Sequence, residues 1–352
     1  MAEQAQNGTR APAKGRAKRS MIIDFHAHAH IPAVDEYIKA NMTPDELDAL
    51  EWGLPKDPER RAAAKAKPIY SHARAKATDP KAQLADMDER GIDVHVISMN
   101  FPHQCYDFDL ERGRKVTRIC NEGLAEFASH APDRFAAVGV IPMQDEAAAL
   151  EELDYAVDRL GLKGIGVTSH AAGRELGDRY FWKVWERVQE LDIPVFIHPQ
   201  GFTQPQRLDK FGSFNVIGQP LEEALAMVSL IHEGVIEAFP NIKFCVAHGG
   251  GYLPYYCGRS DSQYDRRPEM RANIPHKPSY YIEKFYCDTV IWDQRMLEFL
   301  VDKVGSDHVL NGTDYPYVIW DSPAFVRSAR ISKEAKENIL WKNAARLLKL
   351  SI

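Results

Sequence analysis

Eight short runs rich in β-branched and aromatic residues recur along the chain, and each is followed by a stretch with helical periodicity. Most of these runs are nearly continuous apolar segments, which is typical of strands buried on both faces of a parallel sheet. They are Met21–His28, Asp93–Asn100, Phe135–Met143, Leu162–His170, Pro194–Pro199, Lys243–His248, Lys284–Val290 and His308–Asp314. Eight strand–helix units in sequence predict an α/β fold, a closed (β/α)8 TIM barrel.

The helical stretches carry apolar residues at the three- and four-residue spacing of a helix face. They are Asp79–Arg90, Arg114–His130, Asp145–Leu160, Tyr180–Leu191, Leu221–Phe239 and Gln294–Val304. An open, doubly wound sheet is the rival arrangement. No G-x-G-x-x-G motif follows the first run, and a count of eight strands favours the closed barrel.

The connection after the first run is far longer than a usual β/α loop. This cap insertion, about residues 31–78, contains Thr43-Pro44-Asp45-Glu46, in which a capping residue precedes Pro at the first turn of a helix. We therefore expect a helical cap over the barrel mouth, inserted after strand 1. A second long stretch, Gly201–Gln219, follows the fifth run and is expected to form an active-site loop.

Residues 1–20 carry five basic side chains and one acidic one, with almost no large apolar residue. Such a segment cannot bury enough surface to offset its ordering entropy, which predicts a flexible basic tail ahead of one catalytic domain, 21–352. The tail lacks the apolar region of a secretory signal, and no stretch of the chain approaches the ~18 apolar residues of a membrane span. Five dispersed cysteines without disulfide or zinc-knot spacing agree with a cytoplasmic protein.

Ionisable residues stand at the ends of four predicted strands, where TIM-barrel enzymes carry their catalytic groups. The first strand ends with His26 and His28, and side chains at i and i+2 lie on the same side of a strand. The fifth ends in His198, the sixth in His248 and the eighth in Asp314. Each residue alone is more often structural, but the joint pattern indicates a metal site.

Four motifs resemble those of the amidohydrolase superfamily: D-F-H-A-H, F-I-H-P, V-A-H-G-G-G and G-T-D-Y-P, in this order. More narrowly, the chain is similar to the branch that contains α-amino-β-carboxymuconate-ε-semialdehyde decarboxylase and γ-resorcylate decarboxylase. The resemblance covers nearly the whole chain from Met21 onward. It is densest in Glu233–Arg267 and around Asn311–Pro316.

The resemblance implies a role for each residue at the strand ends. His248 would be the catalytic proton donor or acceptor, and the metal ligands would be His26, His28, His198 and Asp314. Binuclear members of the superfamily bridge two ions with a carboxylated Lys or a Glu at the end of the fourth strand. That strand here ends in Thr168-Ser169-His170, which implies one divalent ion. Three imidazoles and a carboxylate favour zinc, with manganese or magnesium as alternatives.

Arginines are expected to bind the substrate carboxylates, because a guanidinium pairs with a carboxylate through two hydrogen bonds. By the same resemblance, Arg259 binds substrate in its own subunit and Arg267 is supplied by a partner subunit, which implies a homodimer or higher homo-oligomer. Two positions depart from the semialdehyde decarboxylase: Ser71 replaces an arginine and Gln200 replaces a tryptophan. Arg74, three residues after Ser71, is expected to substitute for the arginine, and Gln200 is expected to contact substrate.

Three functions are compatible with these residues. The first is metal-dependent, non-oxidative decarboxylation of a small aromatic or dienoic carboxylate, with His248 exchanging a proton with substrate. The alternative is metal-dependent hydrolysis of a carbon–carbon, lactone or amide bond by metal-bound water. A metal-binding barrel without catalytic function is the third, and the intact His248 argues against it. Fold and motif do not decide between the first two functions.

The net charge of -6 gives no reason to expect a nucleic-acid partner. A membrane partner is not expected either.

Overall fold

The computed structural model of the chain describes residues 20–50, 58–59, 62, 68–99, 106, 108–199, 205–208, 210–318 and 320–350. The predicted tail lies outside the described residues apart from Ser20, and so does Gln200. The cap insertion and the Gly201–Gln219 loop are described only in part.

The described residues contain ten strands, eight of which form one parallel sheet. The strands are β1 Ile23–Ala29, β2 Val94–Met99, β3 Phe135–Gly139, β4 Gly164–Val167, β5 His170–Ala171, β6 Arg174–Glu175, β7 Pro194–Ile197, β8 Lys243–Val246, β9 Tyr286–Asp288 and β10 Val309–Leu310. The large sheet has the order β1-β2-β3-β4-β7-β8-β9-β10, and β5 pairs with β6 as a separate antiparallel hairpin.

The large sheet closes into a barrel between β1 and the residues that follow β10. Three backbone hydrogen bonds of 2.8–2.9 Å make this seam: Phe25 N donates to Asn311 O, Asp314 N to His26 O, and His28 N to Tyr315 O. The predicted TIM barrel is therefore confirmed. The seam also brings the first and the last predicted site residues together, although nearly 290 positions of sequence separate them.

Several predicted strands were too long at the end that forms the barrel mouth. The fourth run was expected to reach His170, but β4 ends at Val167, and His170 begins the small hairpin. The eighth was expected to reach Asp314, but β10 ends at Leu310. The backbone leaves the ladder at these rims to turn over the mouth, as the positive φ of 61° at Asp314 shows.

Helices surround the barrel and extend over its ends. They are α1 Pro32–Asn41, α2 Pro44–Leu50, α3 Pro68–Thr78, α4 Pro80–Arg90, α5 Leu110–Ser129, α6 Glu146–Asp154, α7 Trp182–Leu191, α8 Gln219–His232, α9 Val235–Ala238, α10 Leu253–Arg266, α11 Pro278–Ile282, α12 Gln294–Val304, α13 Ser322–Ser328, α14 Lys333–Glu337 and α15 Asn343–Leu347. None of the helices in the described ranges is long and apolar enough to cross a membrane.

The predicted helix boundaries were correct where capping residues were recognised. Thr43 caps the start of α2, as its sequence predicted, and the side chain of Glu46 accepts a hydrogen bond from Thr43 N in return, which completes a capping box. The helix predicted from Arg114 begins earlier, at Leu110, because the Asp109 side chain accepts from Arg112 N. The long helix predicted for 221–239 is divided into α8 and α9 at Gly234, whose φ is 83°.

Because of a bulge in β1, this strand contributes side chains to the packed barrel interior and also supplies two imidazoles. Asp24 pairs with His95 but Ala27 pairs with Ile97, so β1 contains one extra residue between these pairs. As a result, Phe25 and His26 both contact the ring of Phe196 inside the barrel, at centroid distances of 5.7 and 5.1 Å. The interior is filled mainly by small and branched side chains, among them Ile23, Val94, Val96, Ala136, Val138 and Leu310.

Candidate metal centre

Four of the predicted site residues converge at the barrel mouth. His26 and His28 come from β1, His198 directly follows β7, and Asp314 follows β10. Each is buried and offers one ligand atom, and these four atoms lie within 4.8 Å of one another. Asp314 Oδ1 lies 3.2 Å from His28 Nε2 and 3.4 Å from His26 Nε2. When ligand atoms lie about 2.1 Å from a tetrahedral ion, two of them are about 3.4 Å apart. The observed spacing therefore fits ligands of one coordinated ion.

Hydrogen bonds on the far side of each imidazole turn its Nε2 atom toward the centre. His26 Nδ1 bonds Asp288 Oδ2 at 2.6 Å, and His28 Nδ1 bonds Ser98 Oγ at 3.1 Å. His198 Nδ1 lies 3.3 Å from the carbonyl oxygen of Pro199. Such partners fix the ring orientation and the tautomer of metal-binding histidines. The ring centroids of the three histidines lie 5.0 to 5.1 Å apart, and neighbouring planes are nearly perpendicular.

The charge states of Asp314 and His198 suit metal binding. Burial alone would raise the pKa of Asp314, but His26 and His28 hold it well below its usual range, so the carboxylate is ionised. Burial lowers the pKa of His198 well below its usual value, so the ring is neutral with an available lone pair. Burial also lowers the pKa of His26, but the hydrogen bond to Asp288 and the negative charges of Asp288 and Asp314 outweigh it and raise that pKa to about 10, so a metal ion would displace a proton from this ring.

A buried atom of the site also lacks a hydrogen bond. His26 Nε2 is fully buried and has no hydrogen-bond partner among the described residues. A buried nitrogen of this kind is costly unless another group binds it. With three imidazole nitrogens and one carboxylate, the residues fit a divalent transition-metal ion.

His248 faces the same centre from the end of β8. Its ring centroid lies 5.3 Å from that of His26 and 5.1 Å from that of His198, and its Nε2 lies 4.0 Å from Asp314 Oδ2. Nε2 is buried and has no hydrogen-bond partner within the described ranges. The Nδ1 atom of the same ring bonds the carboxylate of Glu223, which is fully buried on α8.

Glu223 and His248 form a buried pair that can hold a proton near neutral pH. Burial raises the pKa of Glu223 to about 7, although His248 opposes this shift. Burial lowers the pKa of His248, but the charge and hydrogen bond of Glu223 outweigh it and raise the pKa above its usual value. The pair can therefore present a proton on Nε2 toward the centre.

The glycines after His248 allow α8 to approach closely enough to supply Glu223. Gly249, Gly250 and Gly251 all have positive φ. A Cβ on Gly251 would lie 2.2 Å from the carbonyl oxygen of Pro220 and 3.1 Å from Glu223 Cβ. A larger residue at position 251 would push the start of α8 away from His248.

Sequence reasoning missed Asp288 and Glu223. Asp288 is the last residue of β9 but lies two residues before the end of the seventh predicted strand, so a more accurate strand end would have let the same rule find it. Glu223 lies within a helix and no motif marks it. Its proximity to His248 depends on helix packing, which the sequence did not reveal.

The predicted substrate-binding arginines are exposed or paired with other residues in the single chain. Arg259 on α10 is exposed, and Arg267 just after it is 61% exposed and lies 4.0 Å from Glu269. The Arg74 guanidinium pairs with Asp35. No hydrogen bond or ion pair among the described residues joins these arginines to the five residues at the mouth.

Comparisons with known proteins agree with this geometry. The amidohydrolase family model matches residues 23–350. The chain is 29% identical to 2-amino-3-carboxymuconate-6-semialdehyde decarboxylase from Dictyostelium discoideum, over 94% of this chain and 92% of that protein. It is similar to the structure of 5-carboxyvanillate decarboxylase from Sphingomonas paucimobilis, with a TM-score of 0.82 and 25% identity over 95% of this chain and 100% of that one. Dihydroxybenzoic acid decarboxylase from Polaromonas sp. JS666, with bound manganese and 2-nitroresorcinol, has a TM-score of 0.79 and 23% identity, covering 95% and 98% of the two chains.

We expect Asp288→Asn to weaken metal binding by about 10- to 100-fold, because it removes the anionic acceptor that orients His26. Affinity would be measured by competition with a chromophoric chelator. Asp302→Asn, the same change at an exposed position of α12, should leave affinity unchanged. Equal affinities for Asp288→Asn and the wild type would contradict this account of His26.

Proposed function

The chain belongs to the amidohydrolase family, and from this premise we propose that it is a metal-dependent, non-oxidative decarboxylase of a small aromatic or dienoic carboxylate. The observation that carries the proposal is His248 Nε2, buried without a hydrogen-bond partner among the described residues and facing the four-residue cluster. A proton donor beside a metal site is what protonation of a substrate carbon requires. All three similar proteins named above are decarboxylases, and the two that are at least 25% identical match nearly the whole of this chain.

We propose one divalent ion per chain, held by His26, His28, His198 and Asp314. When bound, the ion supplies positive charge that fixes and polarises substrate oxygens. Three nitrogen ligands favour zinc. The manganese bound in the Polaromonas enzyme makes manganese the alternative, and elemental analysis of the purified protein distinguishes the two.

The proposed reaction needs one proton and one bond cleavage. His248 donates the Nε2 proton to the substrate carbon that bears the carboxylate. The bond between that carbon and the carboxylate then breaks, its electron pair stays on the substrate, and carbon dioxide leaves. Glu223 keeps the hydrogen bond to Nδ1 throughout, so that Nε2 remains directed at the substrate.

We further propose that the enzyme is a homodimer in which Arg267 acts in the partner's site. Three large apolar side chains are strongly exposed: Phe211 is 95%, Val216 64% and Tyr256, on α10, 67% exposed. Tyr252 Oη donates to Val216 O at 3.1 Å and ties this segment to the helix. Apolar side chains clustered on a surface mark contact sites, and a second copy would bring the exposed arginines of α10 near a mouth. Arg259, Arg74 and Gln200 remain our candidates for substrate binding within one chain.

The reaction class is tested by its products. We expect carbon dioxide to be released from a member of a panel of hydroxybenzoates and carboxymuconates, with no oxygen from water in the organic product. In water enriched with oxygen-18, hydrolysis would place the label in the product. Labelled product without carbon dioxide would overturn the decarboxylase proposal in favour of the hydrolase.

We expect His248→Asn to lower kcat by at least about 100-fold, because the proton donor is lost while the ligand set is intact. Metal content, measured on the same samples, should stay at the wild-type value. His130→Asn, at the exposed end of α5, serves as the matched control and should retain full activity. Unchanged turnover in His248→Asn would show that this residue carries no proton.

Mixed dimers test whether Arg267 acts across subunits. Arg267→Ala and His248→Asn should each be inactive alone. Equal amounts of the two variants, dissociated and reassembled together, should recover about a quarter of wild-type activity. Half of the dimers are then mixed, and each mixed dimer contains one complete site out of two. If Arg267 acts in its own chain, mixing would restore nothing.

A further inference from the structure

Asp24 is a fully buried carboxylate on the wall of the barrel, and the proposed reaction does not use it. It lies two residues before His26, but the β1 bulge places it on the other side of the strand. Its nearest ionisable neighbour is His95, whose Nε2 lies 3.5 Å from Asp24 Oδ2. Both side chains are buried. A buried acidic group is costly unless hydrogen bonds within the protein satisfy it.

The hydrogen bonds of Asp24 all go to residues beside the candidate metal ligands. Oδ1 accepts from His26 N at 3.1 Å and from Thr313 N at 3.0 Å. Oδ2 accepts a short hydrogen bond from the Thr313 hydroxyl. One side chain thus connects the backbone of a ligand on β1 to the residue immediately before Asp314.

Asp314 needs such support because its backbone is strained. Its φ of 61° lies in the left-handed region, which a non-glycine residue keeps only when its surroundings impose it. Thr313, on one side, is held by Asp24. Tyr315, on the other, donates from its hydroxyl to Asp86 Oδ2 at 3.0 Å, and its backbone N donates to Thr313 Oγ1 at 3.2 Å.

Helix α4 supports this arrangement from behind. Gln83 on α4 bonds His95 Nδ1 at 2.8 Å, and the opposite nitrogen of His95 faces Asp24. Asp86, on the same helix, holds Tyr315. Asp24, His95 and Tyr315 thus contact each other or α4.

We propose that Asp24 is a positioning residue of the metal centre: by joining His26 N to Thr313 across the barrel seam, it sets the separation of His26 and Asp314. It does not touch the ion or the substrate. The inference rests on the proposed metal-binding function and holds whichever reaction the centre catalyses.

The test is metal affinity in Asp24→Asn, measured without substrate. Asparagine has the same shape but replaces one acceptor oxygen with a donor, which cannot accept from Thr313. We expect one ion per chain, bound about 10- to 100-fold more weakly, the range typical for residues that orient ligands. In the cobalt-substituted protein, the visible absorption bands should shift, because the separation of two ligands changes.

Two threonine variants keep the test decisive if Asp24→Asn does not fold. Thr313→Val removes one donor to Asp24 and should weaken binding in the same direction but less, while Thr313→Ser keeps the hydroxyl and should restore wild-type affinity. Thr117→Val, at a buried position on α5, is the matched control and should leave affinity unchanged.

Three outcomes are separable. The metal-free variants could have a lower thermal stability but keep the wild-type metal affinity and cobalt spectrum. That result would overturn the positioning role and leave a purely structural one. Wild-type protein that binds no metal would overturn the proposed metal-binding function instead. Weaker binding in Asp24→Asn and Thr313→Val, with recovery in Thr313→Ser, would support the inference.

Discussion

The seam between β1 and the segment after β10 is the constraint on which the rest of the site depends. Two of the four metal-ligand candidates, His26 and His28, lie on one side of it, and Asp314 lies on the other. Backbone hydrogen bonds across the seam fix Asp314 N to His26 O and His28 N to Tyr315 O. Barrel closure therefore supplies most of the site geometry before any side chain is considered.

Buried carboxylates then determine how each imidazole is used. Asp288 and Glu223 bond the Nδ1 atoms of His26 and His248 from outside the centre, and both rings turn Nε2 inward. The two rings nevertheless differ in surroundings. His26 Nε2 lies 3.4 Å from Asp314 Oδ1, within the ligand cluster, whereas His248 Nε2 lies 4.0 Å from Oδ2 of the same residue. This difference separates a ligand position from a proton-donor position in a site that contains four histidines.

The backbone is strained both at the proposed proton donor and at one of the metal-ligand candidates. His248 and Asp314 have φ values of 49° and 61°, and His and Asp are among the residues that tolerate this region best. The three glycines after His248 and the hydrogen bonds around Asp314 maintain the two conformations. Each turn directs its side chain over the mouth. If the strand had continued, the same side chain would have pointed along the wall.

The amino-acid sequence by itself determined the barrel and the residues of its centre. Eight apolar runs predicted the strands, and His26, His28, His198, His248 and Asp314 were visible because strand ends converge in this fold. Only the tertiary structure decided that α8 supplies Glu223, that a bulge places Asp24 on the wall, and that Arg259 and Arg267 are exposed. The physical reason is that strand-end positions follow from local periodicity and barrel symmetry. Helix approach, bulge position and surface exposure follow from packing between residues distant in sequence.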